Sequence, residues 1–181
     1  MTSHSRSYKF IFPWLAFTAC LAGFLYTTVV ANQWPWNSLF MPAIIIVVLW
    51  HWTSSPRWLW ATAAGFGYVL ELYSMLPFGI GLMAMLSAAL VLYLIKQNQL
   101  AAPGFIQGAT SGLFFTVTYH AMIFIALAIG HWIQWIQIPD IVWTTSLWHI
   151  IVQIIVQTLL CGLCVSVLAR WKPTNINPLA W

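Results

Sequence analysis

Apolar residues run along this chain in long stretches separated by short polar breaks. A bilayer core of about 30 Å takes about 20 helical residues to cross. Six stretches reach or approach that length: 10–30, 38–52, 58–74, 78–95, 105–129 and 141–169. The pattern predicts an all-α polytopic membrane bundle of six transmembrane helices, with residues 1–181 forming one integral membrane domain. The first stretch follows Arg6 and Lys9 and is longer than the h-region of a signal peptide, so it is expected to be retained as a span. The second is short, and either crosses with help from its Trp-rich flanks or is partly re-entrant. The last is long enough to tilt or project. Turn chemistry fills the breaks, as in Asn32-Gln33-Trp34-Pro35, Thr53-Ser54-Ser55-Pro56 and Pro103-Gly104. Spans three and four are joined by little more than Met75-Leu76-Pro77. There Pro77 fixes φ and Gly79 has no Cβ, which suits a tight turn.

Composition agrees with lipid as the main solvent. Hydrophobic residues make up 62% of the chain and charged residues 4%, against about 25% charged in a soluble domain. The scattered single cations do not form the basic patch of a nucleic-acid-binding protein. Their positions set an orientation instead. With six spans, Arg6, Lys9, Arg57, Lys96, Arg170 and Lys172 all fall on one side, and Asp140 on the other. The positive-inside rule then puts both termini in the cytoplasm. Trp34, Trp36, Trp50, Trp52, Trp58, Trp60, Trp132, Trp135 and Trp143 lie at or near span ends, as expected of interfacial belts.

Few residues offer chemistry. Glu71 is the one acid inside a predicted span, and an acid there is a candidate functional residue. Ala64, Gly67 and Ser74 share its general helical face and would let another helix approach closely. In span six, His149, Gln153 and Gln157 recur every four residues and so lie on one side; Ser146 and Cys161 extend the stripe, with Cys164 close by. Polar groups in lipid need partners, so this stripe is expected to face the bundle or another protein. Span five adds Gln107, Ser111, Thr118 and His120, and Gly108 and Gly112 form a G-x-x-x-G. His120 and His149 sit at similar depths, about 22 and about 18 Å from the inner side of the core, so a haem between them is one alternative. Cys161 and Cys164 form a C-x-x-C, read as buried small residues because a reactive thiolate needs access to water. Soluble catalytic motifs (a P-loop, H-E-x-x-H, G-x-S-x-G) are missing from the sequence, and no enzyme activity, metal or cofactor is expected.

One region carries a family pattern. Pro42 opens an apolar helix, Pro56-Arg57 forms a short basic loop, and Gly65-Phe66-Gly67 leads through Tyr68-Val69-Leu70 to Glu71. Leu76-Pro77-Phe78-Gly79-Ile80-Gly81 then enters another apolar helix. Residues 41–96 in this order resemble the MreD family of bacterial rod-shape proteins. Glu71 stands where that family usually has Asp, and no acid follows Pro42. The resemblance implies five or six spans in the bacterial inner membrane, no catalytic activity, and a scaffold role in the cell-elongation complex. Its partners would be MreC-like and cell-wall synthesis proteins as well as the lipid bilayer. On this reading Glu71, Gly67, Pro77 and Gly79 form a structural hairpin site, and His149, Gln153 and Gln157 a helix-contact surface. The alternatives are a substrate-binding subunit of a small-molecule uptake transporter, towards which the short second span points, and a haem-bearing subunit of a redox complex.

Overall fold

The computed structural model describes residues 41–53, 56–73, 77–98, 104–133 and 141–171. Among these residues there are five helices and no strand: α1 (Pro42–Thr53), α2 (Pro56–Tyr73), α3 (Ile80–Asn98), α4 (Phe105–Trp132) and α5 (Ile141–Trp171). Two of them start on proline, whose fixed φ and missing N–H suit the first helical position. From α2 to α5 each helix packs against the next, and α1 touches all four. The short helix is therefore the centre of the bundle. Ala43, Ile44, Val47 and Val48 on it are 2% exposed or less.

The outside is apolar and much of the polar surface is inside. On α5 the exposed row Leu147, Ile151, Ile155, Leu159, Leu163 and Val167 runs opposite a buried row of Gln153, Gln157, Cys161 and Val165. Both rows step by four residues, the ridge along which helices most often interdigitate. A water-solvated helix would carry these rows the other way round.

Among the described residues three helical segments are long and apolar enough to cross a membrane: Ile80–Gln97, Phe105–Trp132 and Leu147–Arg170. This is the make-up of a membrane protein, and three of the six expected spans are accounted for. Two of the other expected spans are described, and each differs for a physical reason. Helix α1 has 12 residues and rises about 18 Å, well short of the core. Helix α2 has 18 residues but carries Arg57, Thr62 and Glu71, so its apolar character falls below that of the other three. The expected first span, 10–30, lies outside the described residues.

Candidate functional site

Two junctions gather the polar residues, and the first is the hairpin between α2 and α3. Gly79 has φ +102°, the left-handed region that glycine tolerates and other residues rarely adopt. The Ile80 amide donates to the Pro77 carbonyl at 3.4 Å, and the Met83 amide to the Gly79 carbonyl at 3.0 Å, so the turn runs straight into α3. Side by side, the two helices touch at backbone distance. A Cβ on Gly67 would lie 2.9 Å from the Leu82 Cα, and one on Gly81 would lie 3.1 Å from the Glu71 Cγ.

That closeness lets Glu71 reach across. Its Oε1 accepts a hydrogen bond from the Leu82 amide at 3.0 Å. Leu82 is in the first turn of α3, where N–H groups have no carbonyl partner within their own helix. A carboxylate there also meets the positive end of the helix dipole. Glu71 is 6% exposed, so it acts as a buried N-terminal cap supplied by the neighbouring helix.

The turn itself gives a test. Open space surrounds the position a Gly79 Cβ would take, so a side chain there meets strain without a clash. Gly79→Leu is expected to cost about 1–2 kcal/mol through backbone strain alone. Gly79→Asn, which tolerates the left-handed region, should cost less. Unfolding of both variants in mixed micelles would show the order, and a leucine variant as stable as the asparagine one would remove the conformational argument.

The second junction is a seam of α1, α4 and α5. Gly108 and Gly112 put α4 directly on α5. A Cβ on Gly108 would sit 2.6 Å from the Val165 Cβ, and one on Gly112 2.6 Å from the Cys161 Cβ. Above this contact, His120 Nε2 lies 3.2 Å from Gln153 Oε1, and His120 Nδ1 lies 2.8 Å from the Thr116 carbonyl. One turn along α5, Gln157 Nε2 donates to the Met41 carbonyl at 3.1 Å. Gln157 is 16 residues into the 31-residue α5, so α1 begins about halfway along its longest neighbour. At the far end of α1, the Trp52 indole donates to the Ser111 hydroxyl at 3.3 Å and the Lys96 ammonium to the His51 carbonyl at 2.9 Å. The lysine is thus a cationic cap at the C-terminus of α1, where the dipole favours positive charge.

The expected site residues divide accordingly. Glu71, Gly67, Pro77 and Gly79 come together in the hairpin. Gln153, Gln157 and Cys161 come together in the seam. His149 does not: it is exposed at the upper end of the stripe, and the α5 partner of His120 is Gln153. Both ring nitrogens of His120 thus face protein oxygens, while His149 is exposed. Among the described residues no group of three or more His, Cys, Asp or Glu could hold a metal ion. Cys161 is a buried free thiol packed on Gly112, and Cys164 is free and half-buried. Trp52, expected in an interfacial belt, turns inward to Ser111, whereas Trp58 and Trp132 are exposed. Ser74 and Ser146 fall where no side chain is described.

Sequence reasoning missed Thr116 and the roles of Gly81, Lys96 and the Met41 carbonyl. The last two contacts involve backbone oxygens, which no residue type marks. No family model matches the chain, and no curated protein or solved structure matches it.

Proposed function

We propose that the chain is a non-enzymatic membrane scaffold, an assembly subunit of the MreD kind in bacterial cell-shape machinery. The observation that carries the reading is the use made of Glu71. The acid in the region that resembles that family is committed to holding a hairpin, through the Leu82 amide. The seam supports the same reading, since His120, Gln153 and Gln157 join helices to one another. Apolar faces on α3, α4 and α5 are left for lipid or for the helices of partners. Short connections leave little outside the bilayer, so partner contacts are made in or near it.

The test is recovery of partners in mild detergent, identified by mass spectrometry. Wild type and Glu71→Gln, which keeps an acceptor oxygen, are expected to bring down cell-wall synthesis proteins equally. Glu71→Leu should bring down less at matched expression. Recovery of an ATPase and its transmembrane coupling subunit in their place would overturn the scaffold in favour of an uptake system.

The scaffold is placed in the inner membrane with six spans and both termini in the cytoplasm. Helix order puts Arg57, Lys96 and Arg170 at one end of the bundle, which supports that orientation. Thiol labelling of Ser3→Cys and Asn177→Cys is expected to require permeabilised cells. Labelling of either from outside intact cells reverses the orientation.

A further inference from the structure

The seam holds a donor and an acceptor that its protein contacts do not use. Gln157 is fully buried and Gln153 is 5% exposed. Among the described residues, Gln157 Oε1 and Gln153 Nε2 have no hydrogen-bond partner. The two side chains are one turn apart on the same face, so their Cβ atoms are about 5–6 Å from each other. Two hydrogen bonds of about 2.9 Å can meet at a single oxygen across such a gap. The Met41 carbonyl fixes the Gln157 amide, because turning it would set oxygen against oxygen. The Gln153 amide answers to His120, whose two ring nitrogens both meet oxygens. A charged ring donates to both and leaves the amide as it stands. A neutral ring with its proton on Nδ1 calls for the amide to turn and offer its –NH2 to Nε2, leaving Oε1 towards Gln157.

We propose that one water molecule is bound between Gln153 and Gln157, completing a hydrogen-bonded line from the Thr116 carbonyl through His120 to the Met41 carbonyl. Water is the guest because it serves both arrangements. With the amide as it stands it accepts from Gln153 and donates to Gln157, and with the amide turned it donates to both. An ammonium group lacks the acceptor, and a single alcohol hydroxyl lacks the second donor. Buried waters of this kind characteristically complete otherwise unsatisfied polar groups. The line runs through α4, α5 and α1, so the water ties the start of the central helix to an ionisable residue on its neighbour.

The experiment is solid-state NMR of the full chain in bilayers of deuterated lipid, with glutamine labelled by ¹⁵N and side-chain signals assigned by single substitution. Transfer of magnetisation from a long-lived water to the amide protons of both Gln153 and Gln157 is the expected result. In Gln157→Leu the transfer to Gln153 should fall at least about fivefold, as one of the two anchors is gone. Should that variant not fold, the wild-type spectrum still decides. Absence of water transfer at either amide, or transfer from residual lipid protons in its place, overturns the proposal.

Discussion

Glu71→Leu is expected to destabilise the bundle by about 1–3 kcal/mol, the cost of leaving a buried amide without an acceptor. The Leu82 N–H faces Glu71 Oε1 at 3.0 Å and lies in the turn of α3 that has no internal acceptor for it. Leucine fills the space and removes the oxygen. Glu71→Gln keeps an oxygen at the same place, so the hydrogen bond survives. What glutamine loses is the interaction of a charge with the helix dipole, about 0.3–1 kcal/mol in exposed settings and up to about 2 in partly buried ones. The order wild type, glutamine, leucine therefore separates the acceptor from the charge. Unfolding by SDS in mixed micelles, followed by helix content, reads both differences. A glutamine variant as unstable as the leucine one would show that charge matters more than the acceptor, and two variants as stable as wild type would remove the cap from the energetics.

The same residue shows how far the sequence can be read. An acid in an apolar stretch, with small residues on its face, signals a close helix neighbour, and Gly67 on Leu82 is that neighbour. The Pro77 and Gly79 turn was equally legible, since a left-handed residue between two helices calls for glycine. The four-residue spacing of Gln153 and Gln157 gave their common face because helical period alone decides it. His149 continues the row, but a row stepping by four residues drifts around the helix, and this residue is exposed at its end and not packed in the seam. Span counting by hydropathy reaches further than the described residues, among which three helices are long and apolar enough to cross. Hydropathy reports how apolar a segment is, and α1 is apolar because four helices enclose it, which a short central helix shares with a lipid-facing one. The polar partners of α1 were hidden as well, since the carbonyls of Met41 and His51 are properties of the chain's path.

The largest effect is expected at Gly108, where α4 and α5 meet with backbone involved. An added Cβ would stand 2.6 Å from the Val165 Cβ and 2.7 Å from the Cys161 carbonyl oxygen. A flexible side-chain end could move aside from such a contact, but a backbone carbonyl in mid-helix cannot without breaking its own hydrogen bond. Gly108→Leu must therefore push the helices apart along the seam, loosening Gln157 from Met41 and Gln153 from His120 together. Overpacking alone costs about 1–3 kcal/mol, and backbone displacement takes this variant to about 3 kcal/mol or beyond. Gly65→Leu is the matched control: an added Cβ there meets nothing within 4 Å, and replacing a mid-helix glycine by leucine gains up to about 1 kcal/mol of helix propensity. The pair tests whether position or glycine loss is responsible. Trimming the opposing side chain is expected not to help. Val165→Ala keeps the Cβ at 2.6 Å and leaves the Cys161 carbonyl where it is, so the double variant should unfold at nearly the same SDS fraction as Gly108→Leu. Restoration by Val165→Ala would mean that the contact is made by the valine methyls, and that the backbones are free to accept a side chain between them.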